Sequence, residues 1–423
     1  MLGFFYVMDL NQLHKLFLES SGISTDTRKI VPDSIFFALK GANFNGNLFA
    51  KDALEKGAKF AVVDEKEFAL DSNYILVDDV LNCLQELASF HRNQLSCPVL
   101  GITGTNGKTT TKELINAVLE KKYSVVCTKG NLNNHIGVPL TLLSAKLDTE
   151  FLIVEMGANH QNEIKLLSEI ANINYGIITN IGKAHLEGFG SVEGVTKTKK
   201  ELYDYIKTQS GTIFINKNDE LLQRISSDIN KVEYSTQENE NGSPFASVTH
   251  SGEVISTKLI GSYNCTNIQA AISIGNYFGV TFKEIKTAIE HYTPQNNRSQ
   301  LEKTSKGNSL IIDYYNANPT SMIKAMQSFY SVKSDKKLFI LGDMLELGDT
   351  SINEHQKIIN ELNKEQSEAI LIGTEFGKCE HTFPQFKDVF EAKEWLQQKA
   401  YNDYFILLKG SRGIKLEEIK DLL

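Results

Sequence analysis

Val99-Leu100-Gly101-Ile102-Thr103-Gly104-Thr105-Asn106-Gly107-Lys108-Thr109-Thr110-Thr111 is the stretch on which the reading of this chain turns. An apolar run ending in small residues has the pattern of a buried parallel strand. Lys112-Glu113-Leu114-Ile115-Asn116-Ala117-Val118-Leu119 after it has helical spacing, so Gly104 to Thr109 falls at a strand-to-helix turn. Such a turn suits phosphate: glycines let backbone N–H groups approach its oxygens, and the helix N-terminus adds a positive dipole. Lys108 supplies a mobile cation, and the Thr109 hydroxyl can ligate magnesium. The usual motif spaces its glycines more widely, whereas Gly104 and Gly107 enclose only Thr105 and Asn106. A glycine turn capping an ordinary helix is the alternative; a strand before and a helix after favour nucleotide binding.

A chain of 423 residues exceeds what one core usually organises and implies about three domains. Hydrophobic content of 41% with 23% charged residues is that of a globular protein, and no apolar run approaches the ~20 residues of a membrane-spanning helix. A net charge of −8 leaves no general footprint for nucleic acid, although a local basic pocket can still hold a small anion. Cys83, Cys97, Cys127, Cys265 and Cys379 are odd in number and scattered, which argues against a disulfide framework or a zinc site and for a reducing cytoplasm. The apolar opening Met1 to Val7 lacks a basic flank and a small-residue cleavage site, so no secretory signal is expected, and Met8 is an alternative start.

Three α/β units follow from the pattern. In residues 1–94, Leu10, Leu13 and Phe17 mark a helix that stops near Ser20-Ser21-Gly22. Asp33 to Gly41 reads as a strand, further strands lie near Phe60 to Val63 and Tyr74 to Val77, and a helix runs from Val80 to about Gln94. In residues 95–293, strands at Ser124 to Cys127, Phe151 to Glu155, Tyr175 to Asn180 and Thr212 to Asn216 alternate with helices. This predicts a P-loop-type, doubly wound parallel sheet. Ser235 to Ser251 reads as turns or a small antiparallel patch. In residues 294–423, strands at Leu310 to Ile312, Leu338 to Leu341, Ala369 to Ile372 and Tyr404 to Leu408 predict a second, Rossmann-like parallel domain.

Ligands of such sheets bind beyond the carboxyl ends of the strands. Glu155 ends a strand and His185 closes Thr179-Asn180-Ile181-Gly182-Lys183-Ala184-His185, so with Thr109 they would offer magnesium an oxygen and nitrogen donor set. A carboxylate that caps the next helix and a packed or surface histidine are the plainer alternatives. The loops Asp313 to Pro319, Gly342 to Gly348 and Lys409 to Gly413 also follow strands, where ligand-binding loops belong.

With Ser24-Thr25-Asp26-Thr27-Arg28, Lys129-Gly130-Asn131-Leu132-Asn133-Asn134-His135-Ile136-Gly137, Glu155-Met156-Gly157-Ala158, Asn296-Asn297-Arg298-Ser299 and Asp313 to Pro319 assembled around the short glycine loop, the chain resembles the Mur ligase family nearly end to end. These are the ATP-dependent amide-forming enzymes of peptidoglycan synthesis. The stretches resemble the branch that adds a dipeptide, and the Asp-Asn-Pro-Arg motif of the diaminopimelate-adding branch is absent.

The resemblance implies that D-alanyl-D-alanine is joined to UDP-N-acetylmuramoyl-tripeptide in the cytoplasm through an acyl phosphate, with ATP and Mg2+. It leaves open whether lysine or diaminopimelate is the third residue. By position, it implies that Thr25, Asp26, Arg28, Phe44 and Asn45 hold the UDP-sugar, and that Asn133, Asn134, His135, Asn316 and Asn318 face substrate. Gly104, Thr105, Asn106, Gly107, Lys108, Thr109 and Thr110 would hold ATP together with Asn267, Asn297, Arg298 and Asp313. Thr109, Glu155, His185 and Lys199 would hold the metal, with Lys108, Lys199 and His185 catalytic and Lys199 carrying a CO2-derived carbamate. Lys197 and Lys200 flank Lys199, and a solvated lysine cluster is the plainer reading. The rivals are a sibling ligase that adds a single amino acid or a folate glutamate, and a nucleotide-binding module that makes no amide.

Overall fold

The computed structural model describes residues 9–183, 186–236 and 244–423, so His185 lies outside the described residues. Val99–Thr103 is central in a six-stranded, all-parallel sheet. The order is Asn230–Tyr234, Thr212–Asn216, Tyr175–Ile178, Val99–Thr103, Phe151–Glu155, Val125–Cys127. The strand is buried at every residue because both faces are covered. Val99 joins the apolar cluster under the Val80–Gln94, Gly137–Leu143 and Val192–Thr208 helices, while Leu100 and Ile102 join the cluster under Lys108–Leu119 and Cys265–Tyr277. The chain leaves Thr103 toward one edge of the sheet and Ile178 toward the other, so the turn after Thr103 sits at the switch point where such sheets bind ligands.

The first unit is a four-stranded parallel sheet in the order Ile23–Ser24, Ile35–Phe37, Phe60–Val63, Tyr74–Leu76. The strand expected from Asp33 to Gly41 is broken. Ile35–Phe37 pairs in the sheet, and Lys40–Gly41 turns back on Phe44–Asn45 as a separate antiparallel pair. Gly46 explains the break, since a Cβ there would lie 2.4 Å from Leu39 O; the chain folds back onto its own backbone. One apolar cluster continues from Leu13 and Phe17 through Leu84 and Leu87 to Val138, Leu142 and Leu152, fixing this unit against the central sheet.

Phe245–His250 pairs antiparallel with Glu253–Ile260, so the segment expected to form turns or a small antiparallel patch contributes one strand of a hairpin. The last unit is a six-stranded sheet in the order Gln300–Lys303, Ser309–Asp313, Phe405–Lys409, Lys337–Gly342, Ala369–Ile372, Gln385–Phe386. It is parallel except for Gln300–Lys303, an antiparallel edge strand that the sequence reading did not foresee. Alternate residues of its strands feed two apolar clusters, for example Leu310 and Ile312 on one side and Ile311 on the other.

Candidate active site

Two glycines shape the turn after Thr103. Gly104 has φ +142°, and a Cβ there would meet Thr179 Oγ1 at 2.1 Å. Gly107, with φ +80°, caps the Lys108–Leu119 helix, and a Cβ there would meet Asn267 Oδ1 at 2.7 Å. The Thr179 to Gly182 segment braces the loop from outside. Thr105 N donates to Asn180 O (2.9 Å) and Asn106 N to Asn180 Oδ1 (3.1 Å), while Thr179 Oγ1 donates to Asn106 O (2.6 Å). Lys108 Nζ folds back onto Gly104 O at 2.7 Å and Thr105 O at 3.3 Å. Burial brings its pKa down to about 8, with Glu155 opposing and Arg298 adding to the shift.

Glu155 lies across from Ile102 in the parallel register, which sets its carboxylate beside the turn. It is 1% exposed. Its Oε1 accepts from Asn133 Nδ2 (2.9 Å) and Thr109 Oγ1 (3.3 Å), whereas Oε2 is buried without a hydrogen-bond partner, 3.8 Å from Lys112 Nζ. A buried carboxylate oxygen left in this state fits a divalent cation. Among the described residues no group of three or more His, Cys, Asp or Glu could hold a metal ion.

Lys199, on the Val192–Thr208 helix, is 3% exposed, and its ammonium lies 5.8 Å from the Phe189 ring centre. Burial lowers its pKa to about 7, with Lys108 adding to the shift and Glu201 and Glu163 opposing. Its neighbours differ: Lys197 is exposed, and Lys200 pairs with Asp204.

These groups line one cavity of about 590 Å³. From the central unit come Gly104, Thr105, Asn106, Gly107, Lys108, Thr110, Asn133, Asn134, His135, Glu155, Lys199 and Asn267, and from the last unit Asp313, Tyr315, Asn316, Lys324 and Lys409. Thr109 reaches the cavity only through Glu155. Asn134 Oδ1 accepts from Ile136 N and Gly137 N at the start of the Gly137–Leu143 helix, and His135 O accepts from Gln85 Nε2. Asn267 Nδ2 donates to Asn264 Oδ1 at 2.9 Å. Arg298, which lines the same cavity, lays its guanidinium on the Tyr315 ring, 4.0 Å from the centre.

The structure does not bring every expected residue there. Asn297 is exposed with φ +57° and does not line the cavity. Asn318 caps the Pro319–Tyr330 helix and exchanges amide hydrogen bonds with Asn106 at 2.7 and 3.4 Å, tying the last unit to the phosphate turn. Thr25, Asp26, Arg28, Phe44 and Asn45 lie apart from the cavity, in the segments that follow the adjacent parallel strands Ile23–Ser24 and Ile35–Phe37. Arg28 forks onto Asp26 at 2.9 and 2.8 Å and holds its carboxyl well below the usual range. Phe44 stacks on Phe49 with ring centres 5.2 Å apart, and Asn45 Nδ2 donates to Glu65.

Lys409 was not singled out by sequence. It ends its strand in register with Asp313, and its buried ammonium donates to Asp313 Oδ2 at 2.6 Å. The signal for it was the glycine-bearing loop that begins with it. Tyr315 and Lys324 were likewise hidden, one inside a loop already noted and the other on a helix face.

The chain matches known proteins over most of its length. Residues 19–92 match the Mur ligase family catalytic domain, 102–275 the Mur ligase middle domain, and 297–412 the Mur ligase glutamate ligase domain. It is 37% identical over 425 aligned residues to the UDP-N-acetylmuramoyl-tripeptide–D-alanyl-D-alanine ligase of Bacillus subtilis (strain 168), covering 95% of this chain and 93% of that protein. The protein of the same name from Treponema pallidum (strain Nichols) is 30% identical, with the same coverage. Among solved structures, MurF from Acinetobacter baumannii superposes with a TM-score of 0.83 at 28% identity, covering 94% of this chain and 92% of the other. The MurF ligase from Thermotoga maritima in complex with ADP gives 0.83 at 25% identity, covering 96% and 98%. A phosphate turn, three α/β units and relatives matched across nearly the whole length lead to one conclusion: the chain belongs to the Mur ligase family.

Proposed function

We propose that this chain is an ATP-dependent amide ligase that joins D-alanyl-D-alanine to UDP-N-acetylmuramoyl-tripeptide in peptidoglycan precursor synthesis. The observation that carries the reading is the single cavity in which Lys108, Glu155 and Lys199 face Asp313, Asn316 and Lys324 of the last unit, so a nucleotide and a second reactant have walls of different origin. The family and the relatives' shared activity support it. In this reading residues 1–94 hold the UDP-sugar, 95–293 the nucleotide and 294–423 the acceptor. Thr25, Asp26, Arg28, Phe44 and Asn45 serve the first role, and Asn267, Arg298 and Asp313 assist the second.

The tripeptide carboxylate attacks the γ-phosphate of ATP, the β,γ bridging bond breaks and ADP leaves an acyl phosphate behind, and Lys108 leaves its carbonyl partners to meet the charge that develops on the transferred group. Thr109, Glu155 and a carbamate on Lys199 would hold magnesium, which supplies Lewis-acid stabilisation of the phosphate oxygens. The amine of D-alanyl-D-alanine then attacks the acyl phosphate carbonyl, and the tetrahedral intermediate expels phosphate. Protein groups contribute by positioning, by charge and by excluding water between apposed units. The Lys199 amine suits the carbamate, because with a pKa of about 7 it has a substantial neutral fraction near neutral pH, and only the neutral amine adds to CO2.

Phosphate release measured with ATP and each reactant singly, then together, tests the ligase reading against a nucleotide-dependent switch. The ligase reading requires release only when both the tripeptide precursor and the amine are present; release with ATP alone at the same rate contradicts it.

A further inference from the structure

Lys108, Lys199, Arg298, Lys324 and Lys409 are the lysine and arginine side chains around the cavity. All but one are committed. Lys108 donates to the phosphate turn, Lys199 is sunk against Phe189, Arg298 lies on Tyr315, and Lys409 is held by Asp313. Lys324 is exposed, and has neither an ion pair nor a hydrogen bond among the described residues. It sits one helical turn after Ser321 on the Pro319–Tyr330 helix, so both project from one face, and both line the cavity. Asn316, just before that helix, completes the wall with a side-chain amide that has no partner among the described residues.

The charge of the acceptor supplies the occupant. A dipeptide reacts through its amine, which is consumed, but its carboxylate stays ionised from binding to product release. Close to a polyphosphate and in a partly enclosed cavity, that anion is repelled unless a cation of its own faces it.

We infer that Lys324 anchors the free carboxylate of the acceptor and thereby selects acceptors that end in one. The inference rests on the ligase reading above. Lys324 acts in this assignment as a specificity residue, on the carboxylate and not on the bonds that form and break, and the Asn316 amide on the same wall is available to the peptide bond between amine and carboxylate.

Steady-state kinetics with D-alanyl-D-alanine and with its C-terminal amide, D-alanyl-D-alaninamide, test this in the wild type, Lys324→Met and Lys324→Arg. Wild type is expected to favour the free acid by about 10- to 100-fold in kcat/KM, the size of one charged hydrogen bond. Lys324→Met, which keeps the apolar stem, is expected to lose that preference through a rise in KM for the acid, with the amide and ATP parameters within about threefold of wild type. Lys324→Arg is expected to restore most of the preference. An undiminished acid-over-amide ratio in Lys324→Met, or an equal loss on both acceptors, overturns the assignment. Absence of any wild-type turnover with the free dipeptide overturns the ligase reading itself, and this inference with it.

Discussion

Lys108 and Lys199 are two buried lysines with different expected fates. Lys108→Ala is expected to lower phosphoryl transfer by about 10²- to 10³-fold, as for removal of one preorganised group from developing charge, with an unchanged far-UV spectrum and melting temperature. Near-normal turnover in that variant would sink the phosphate-turn assignment. Lys199→Ala is expected to be nearly inactive and to recover partly with short-chain carboxylic acids that replace carbamate oxygens, whereas Lys197→Ala, altering an exposed side chain, should retain activity. Gly104 to Thr110 was legible in the sequence because neighbours along the chain decide its conformation. Lys409 was legible only as part of a loop, because its partner Asp313 lies 96 residues away. Asn318, expected at substrate, instead spends its side chain on a helix cap and on Asn106, 212 residues distant, a pairing that no local pattern encodes.

Elements with apolar runs were legible and polar edges were not. Phe151–Glu155 and Thr212–Asn216 match the expected strands residue for residue, because central strands are continuous hydrophobic runs. Asn230–Tyr234 and Gln300–Lys303 are edge strands rich in charged and amide residues, and the signal of a half-solvated edge is weak. Packing between elements carries its own prediction. His14 on the Leu10–Leu18 helix meets His91 on Val80–Gln94, Nε2 to Nδ1 at 3.0 Å, and His91 Nε2 donates to Ala145 O at 2.9 Å. That carbonyl fixes the proton on His91 Nε2, so His91 Nδ1 accepts from His14, and burial favours the neutral form of both rings. Burial lowers both pKa values. The unfolded chain therefore binds protons near pH 6.5 that the folded chain resists, and stability, full above that pH, falls as the pH drops below it. The loss is at most about 1.4 kcal/mol per pH unit per ring. Urea titrations of the wild type and His14→Phe between about pH 7.5 and about pH 5.5 measure it; the variant is expected to lose less stability over this interval, and parallel curves would contradict the neutral pair.

At the scale of the whole molecule, three α/β units were readable from alternating strands and helices, but their apposition was not, since the contacts that create it, the apolar cluster from Leu13 to Leu152 among them, join residues far apart in sequence. Asn106 with Asn318, and Lys183 with Glu354 at 2.9 Å, join the central unit to the last one. Asn318→Ala removes both the helix cap, worth about 1 kcal/mol, and the amide pair. Asn318→Ser keeps a capping oxygen but is too short to reach Asn106, so it is expected to lower kcat with little change in melting temperature, while Asn318→Ala lowers both. Equal kinetics for Asn318→Ser and wild type would remove the pair from the catalytic account. The central claim is the identity of the acceptor. It is tested most directly by phosphate release and product mass with ATP, UDP-N-acetylmuramoyl-tripeptide and, in turn, D-alanyl-D-alanine, D-alanine, L-lysine and diaminopimelate. The account predicts one ADP, one phosphate and one amide bond per turnover with D-alanyl-D-alanine and poor turnover with each single amino acid; preference for any single amino acid, or for a precursor lacking the tripeptide, would contradict it.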